Sequence, residues 1–198
     1  MTCIFCNHDK INKEAIEDSN NFLLLPALGS FIPNYFLIVS KQHTDSIGSM
    51  LSNNEIVDEF KTIKSKVENF ISEQTGEDCI CFEHGGDSVN TSGCCIGHAH
   101  FHILPAISKN LKKIIEEKLG LPDVIEYQDI YKKEDSGYLL FEEKNKTFYW
   151  PNPKIISQFM RRLISKEIGL GTKFDWKEFP FFENMQKTTK NWQDKFSS

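Results

Sequence analysis

"GHAHFHILP", residues 97–105, decides the reading of this chain. His98, His100 and His102 stand at alternate positions in a run that otherwise reads as a buried strand. Successive strand side chains point to opposite faces, so Ala99, Phe101 and Ile103 turn into a core and the histidines turn the other way. Pro105 ends the run. Near neutral pH an imidazole carries one donor and one acceptor nitrogen. Three on one face can bind a metal, polarise phosphate oxygens or supply a nucleophile. A nucleophilic histidine needs one bare nitrogen aimed at the electrophile and the other held as N–H by a carbonyl.

"FLLLPAL" (22–28) and "YFLIVS" (35–40) read as short strands joined by the turn segment "GSFIPN". "SNNEIVDEFKTIKSKVENFISEQTG" reads as a helix, with Ser52 and Glu55 as a capping box and Gly76 as the stop. Ile56, Phe60, Ile63, Val67 and Phe70 recur at helical spacing along it. "DCICFEHG" (78–85) alternates like a strand, with Cys79 and Cys81 as core thiols. "GDSVNTSGCC" (86–95) is a polar loop feeding the histidine strand.

After Pro105 the character changes. "KNLKKIIEEKLG" is a short helix stopped by Gly120, and "GYLLFEEKNKTFYW" (137–150) is a hairpin candidate. "NPKIISQFMRRLISKEIGLG" is read as a helix capped by Asn152 with Pro153 in its first turn. Its apolar stripe is Ile156, Phe159, Met160, Leu163 and Ile164; Gln158, Arg161, Arg162 and Ser165 form the opposite, polar stripe. The aromatic-rich tail from Phe174 onward is expected to pack back. Residues 1–105 thus read as a compact α+β unit and 106–198 as an extension built around a hairpin and a helix.

Of 198 residues, 39% are hydrophobic and 26% charged, ordinary for a globular protein. Residues 1–105 carry a net −8 and residues 106–198 a net +3, so cations for an anionic substrate are expected from the second half. The overall −5 argues against wholesale nucleic-acid binding. The N-terminus has no basic lead before an apolar core, and no apolar run is long enough to span a bilayer, so a cytoplasmic address without a membrane partner is expected. In that compartment the six cysteines should be thiols or metal ligands. Cys3-x-x-Cys6 has metal-knuckle spacing, which redox pairs and plain buried thiols share.

"CIFC" (3–6), "FLIVSKQH" (36–43) and "GHAHFHILP" together resemble the histidine-triad (HIT) family of nucleotide hydrolases and transferases, over about residues 3–105. The resemblance implies an antiparallel sheet of about five strands flanked by helices, with a possible homodimer. It implies that His100 is the nucleophile, attacking the α-phosphorus of a nucleotide to form a covalent nucleotidyl-histidine that water or another acceptor resolves. His102 would contact the phosphate and help orient His100. In one branch of the family two thiolates and two imidazoles close a structural zinc site; the matching residues are Cys3, Cys6, His43 and His98. His8 is an alternative ligand.

Differences from the family pattern are specific. Cys95 stands where a small hydroxyl residue often touches phosphate. Pro33-Asn34-Tyr35 replaces the usual Pro-Gly-His, and Pro26 and Ala27 fall where an Asp or Asn holds the ribose. Glu83 stands where Asn or Gln is usual, and a carboxylate facing phosphate would repel it. "SQFMRR" and "FDW" (174–176) resemble tails on some bacterial members; Gln158 and Arg161 or Arg162 are candidates for a phosphate, unless that face is merely exposed.

The expectation is a zinc-bearing hydrolase of a nucleoside di- or polyphosphate, or of a nucleoside phosphoramidate. Rivals are a nucleotidyltransferase or phosphorylase using the same intermediate, a low-turnover nucleotide-binding module, and a catalytic metal held by all three histidines.

Overall fold

Eight strands pair into one antiparallel sheet with helices on both faces, an α+β architecture. In chain order they are β1 (Glu17–Asp18), β2 (Phe22–Pro26), β3 (Phe36–Ser40), β4 (Cys79–Gly85), β5 (His100–Pro105), β6 (Asp123–Val124), β7 (Tyr138–Glu143) and β8 (Lys146–Pro151); the first and fourth helices of the chain are α1 (His8–Glu14) and α4 (Tyr127–Ile130). They lie side by side as β1-β2-β3-β5-β4-β7-β8-β6. The computed structural model describes residues 3–86, 96–108, 110–133 and 137–196, with His8 by its backbone alone.

About five strands were expected, and eight form, because the hairpin of the second half joins the same sheet. β7 pairs along β4 from Ile80↔Glu143 to Gly85↔Tyr138. Lys144 and Asn145 turn the hairpin with φ of 50° and 57°, as a two-residue type I′ connection requires. β4 and β5 therefore have neighbours on both sides, and the sheet's outer strands, β1 and β6, are only two residues long. Such short edges offer little template for pairing with another chain.

The strands are apolar at nearly every position because both sheet faces are covered. On one face Phe22, Leu24, Phe36, Ile38, Phe101 and Ile103 meet α2 (Asn54–Thr75). On the other Leu23, Leu25, Leu37, Phe82 and Phe141 meet the N-terminal segment, α3 (Leu111–Leu119) and α5 (Phe159–Glu167). The aromatic tail does pack back. It forms α6 (Phe182–Phe196), which sets Trp192 5.4 Å from Phe36 and 5.0 Å from Phe70, ring to ring.

Two helix starts differ from expectation. α2 is capped by Asn53, whose side chain accepts from the Glu55 N–H at 2.9 Å, rather than by Ser52. An asparagine side-chain carbonyl caps as well as a hydroxyl and here sits one residue nearer the first turn. Gly76 ends α2 in the left-handed region, as expected. The second difference is larger: Asn152 does not cap a helix. Its N–H donates to the Gly137 carbonyl, continuing the hairpin, and α5 begins only at Phe159. The expected polar stripe dissolves as a result. Arg161 and Ser165 are buried, whereas Ile156 is 57% exposed. Among the described residues no helix is long and apolar enough to cross a membrane.

Candidate functional site

The sheet register gathers the site. Leu37 on β3 and Phe82 on β4 both lie opposite His102, so His100 and His102 share a face with Phe82. On that face opens a cavity of about 200 Å³, lined by His84, His100 and His102, with apolar walls that include Phe5, Leu25, Ile155 and Met160.

His100 Nδ1 lies 2.7 Å from the His98 carbonyl. A carbonyl only accepts, so Nδ1 carries the proton and Nε2 is left bare toward the cavity. Burial pushes the His100 pKa down to about 4; the bond to His98 opposes this, and the neighbouring His98 and His84 charges add to it. The ring is therefore neutral at pH 7, as a nucleophile must be.

His102 stacks on Phe82 with ring centroids 4.2 Å apart and lies 5.0 Å from the His100 ring. Its Nδ1 is 2.8 Å from the Tyr35 hydroxyl. Burial, then the charges of His100 and Arg161, hold its pKa well below the usual imidazole value.

Gln158 and Arg161 both line the cavity. Gln158, with φ of 58° at the start of α5, buries a side-chain Oε1 that accepts no hydrogen bond among the described residues. Arg161 donates from Nε to the Phe174 carbonyl (2.9 Å) and from Nη2 to the Gly29 carbonyl (2.7 Å), with its guanidinium 4.4 Å from the Phe31 ring centre. Gly29 is required here: its φ is +74°, and a Cβ would sit 2.5 Å from Trp176 Cβ and 2.9 Å from Arg161 Nη2. Pro26 and Ala27 line the cavity, at the positions where the family pattern has its ribose-holding Asp or Asn. Cys95 and its neighbour Cys94 lie outside the described residues.

Glu83 does not face the cavity. It falls on the opposite side of β4, buried, accepting from the Ile47 N–H at 2.7 Å and the Tyr138 hydroxyl at 2.5 Å. The cavity receives the next residue, His84, because strand parity carries Phe82 and His84 to one face and Cys81 and Glu83 to the other. That parity is readable in the sequence. Phe5, between the paired cysteines, lies 5.5 Å from the His98 ring and 5.6 Å from the His100 ring. It has no sequence signal beyond its place in "CIFC".

The distant cysteines and histidines do converge. A 3-10 turn (Ile4–Cys6) brings Cys3 and Cys6 to His43 and His98, and the four ligand atoms lie within 4.8 Å of one another. Cys3 Sγ is 3.4 Å and Cys6 Sγ 3.6 Å from His98 Nδ1; His43 Nδ1 is 3.2 Å from both Cys6 Sγ and His98 Nδ1. Tetrahedral coordination at ordinary bond lengths has ligand–ligand edges of roughly 3.3–3.8 Å. The donor set also fits: His98 Nε2 donates to the Ser40 carbonyl at 2.7 Å, which leaves Nδ1 bare toward the sulfurs. These four residues could hold a metal ion. With both nitrogens so engaged, His98 is not free to share a metal with His100 and His102, so the three-histidine rival loses its third ligand. The side chain of His8 lies outside the described residues.

No family model and no curated protein matches the chain. Among solved structures it is similar to a hypothetical histidine triad nucleotide-binding protein from Sulfolobus tokodaii, at 19% identity and a TM-score of 0.40 over 52% of this chain and 68% of that one. It is also similar to a Hit-like protein involved in cell-cycle regulation from Bartonella henselae, at 15% identity and a TM-score of 0.41 over 52% of this chain and 75% of that one.

Proposed function

We propose that the chain is a nucleotidyl hydrolase that cleaves at the α-phosphate of a nucleoside di- or polyphosphate, or of a nucleoside phosphoramidate, through a covalent nucleotidyl-histidine on His100. The observation that carries this reading is the 2.7 Å bond from His100 Nδ1 to the His98 carbonyl, which leaves a neutral Nε2 bare beside a cavity. In the first step Nε2 attacks the α-phosphorus. A P–N bond forms, the bond from phosphorus to the leaving group breaks, and its electron pair departs with that group. Water then attacks phosphorus, the P–N bond breaks with its electrons returning to Nε2, and nucleoside monophosphate and a proton leave. Positioning and stabilisation of charge on the phosphate oxygens carry most of the rate in such chemistry. His102 and Gln158 are the residues best placed to contact those oxygens. The apolar walls suit the nucleoside.

Mixing the protein with nucleotides labelled at the α-phosphate, followed by an alkaline denaturing quench, tests this. The expected result is label on the peptide carrying His100, decaying in step with release of monophosphate. Label that persists until a second phosphate compound is added would mean a transferase. Tight binding with neither label nor product, across a panel of nucleotides, would leave only a binding module and end the hydrolase reading.

We also propose that the metal is zinc, held by Cys3, Cys6, His43 and His98. Two thiolates and two imidazoles leave zinc no open position, so when bound it supplies a cross-link between the N-terminal turn and the histidine strand. Elemental analysis should find one zinc per chain. Cys6→Ser should lower that several-fold and lower the melting temperature; full zinc retention in Cys6→Ser would refute this ligand set. A homodimer of this chain would gain little from strand pairing, since both edge strands of the sheet are two residues long.

A further inference from the structure

We infer that Tyr35 and Arg161 are positioning residues that hold His102 with its proton on Nε2, opposite to His100, so that the cavity meets a bare imidazole nitrogen and an imidazole N–H side by side. The use made of this pair rests on the reading above; the assignment of the proton does not.

Protons can be counted along one chain of contacts. Tyr35 is fully buried, and its hydroxyl lies 2.8 Å from His102 Nδ1. No other hydrogen-bond acceptor meets that buried hydroxyl among the described residues, and the positive charge of Arg161 acts on the same phenol. A guanidinium has donors and no acceptor, so it cannot take the phenol proton, and its charge draws the phenol lone pairs rather than the O–H. A phenol has one proton to give, and His102 Nδ1 is where it goes. Nδ1 must therefore accept. A neutral imidazole carries a single N–H, so in His102 it falls on Nε2. In His100 the partner of Nδ1 is a carbonyl, and the outcome is reversed.

Nothing in this chain is loose. Arg161 is pinned by the Phe174 and Gly29 carbonyls and by the face of Phe31. Tyr35 packs 5.7 Å from the His102 ring, which also stacks on Phe82. Burial, only partly offset by Arg161, raises the Tyr35 pKa to about 12, so the phenol keeps its proton. The consequence is a division of labour between two identical side chains. His100 offers an electron pair to phosphorus, and His102 offers a hydrogen bond to the oxygen on which negative charge grows. Arg161 then acts from behind the histidine, through Tyr35.

Long-range proton–nitrogen NMR of the ¹⁵N-labelled protein tests this without any nucleotide. The His102 pair, assigned by its loss in His102→Asn, should show a protonated Nε2 and a bare, hydrogen-bonded Nδ1, the reverse of His100. Tyr35→Phe should move the His102 Nδ1 resonance toward that of an unbonded nitrogen. Arg161→Gln should let the phenol accept instead and give a mixture of His102 tautomers. A wild-type spectrum with the proton on His102 Nδ1 overturns the proposal, as does an Nδ1 resonance that Tyr35→Phe leaves unmoved. Should Arg161→Gln fail to fold, the Tyr35→Phe spectrum still decides. In turnover, Tyr35→Phe should lower kcat about tenfold with little change in KM, less than the roughly 10²–10³ lost when a transition-state donor is removed outright. Absence of turnover in the wild type would count against the hydrolase and leave the proton assignment to the spectra.

Discussion

Alanine at position 100 should abolish formation of the labelled intermediate and cut release of nucleoside monophosphate by about 10⁴-fold or more, the scale on which loss of an enzyme's nucleophile is felt. The size of the effect follows from the absence of a stand-in. His84 lines the same cavity but belongs to β4, and His102 is engaged through Nδ1 with Tyr35. His98 turns its nitrogens to the cysteine cluster and the Ser40 carbonyl. The variant should remain folded and keep whatever metal the cysteine–histidine cluster holds, because the His100 ring contributes neither to that cluster nor to the opposite core. His100→Gly offers a second arm: added imidazole can enter the space left by the ring and should restore part of the turnover. Activity within tenfold of wild type in His100→Ala would sink the covalent mechanism.

The second large effect concerns stability and lies on the far side of the sheet. Lys64 on α2 is 6% exposed, and its ammonium sits 2.5 Å from Glu68 and 2.6 Å from Glu142. Glu142 also accepts from the hydroxyls of Tyr127 and Thr147, and the Cys81 thiol donates to Glu68 at 3.7 Å. Geometrically Glu68, Cys81 and Glu142 could hold a metal, but Lys64 already supplies the positive charge. Removing one partner of a buried pair strands the other charge in a poor solvent, at a cost of about 3–5 kcal/mol. Lys64→Met should therefore lower stability by about that much and the melting temperature by roughly 10 °C for a domain of this size. Adding Glu142→Gln to Lys64→Met should recover a large part, since the stranded charge is then gone. A loss below about 1 kcal/mol in Lys64→Met would show that the carboxylates find another partner.

The pH dependence of that difference has a definite sign. Burial tends to lower the Lys64 pKa, but the charges of Cys81, Glu142 and Glu68 outweigh it and raise the pKa above the usual lysine value. A base whose pKa is raised on folding gives its full stabilisation below its unfolded pKa, about 10.4 for lysine, and loses it only as pH climbs beyond. The gap between wild type and Lys64→Met should thus be flat from about pH 6 to 9 and close only in strong alkali.

Local chemistry makes much of this legible in the sequence. Alternation places His100 and His102 together, and the spacing of Phe60, Ile63, Val67 and Phe70 places α2 under the sheet. The hairpin announces itself through "EKNK" (143–146) near its turn. What escapes is set by contacts between distant segments. Nothing near Asn152 says that the Gly137 carbonyl will claim its N–H, or that the helix will wait until Phe159. The stripe holding Arg161 and Ser165 looks solvent-facing on a wheel, yet Phe174, Trp176 and Gly29 close over the arginine. Glu83 is misplaced for a different reason: family analogy overrides a parity that the strand itself carries. The attachment of the hairpin to β4 is equally silent, because edge pairing leaves no mark in either partner's own pattern.

Residues near position 30 are held by residues about 150 positions later. Gly29 donates to the Pro180 carbonyl, Asn34 to the Thr188 hydroxyl, and Asn184 and Asn191 reach back to Ser30 and Asn34. Tyr35 sits at the end of that clasped segment. On the ribosome, a nascent chain can pair β2, β3, β4 and β5 early, yet the segment that carries Tyr35 stays unclasped until translation reaches the helix that holds it. The histidine face is completed from the back of the message.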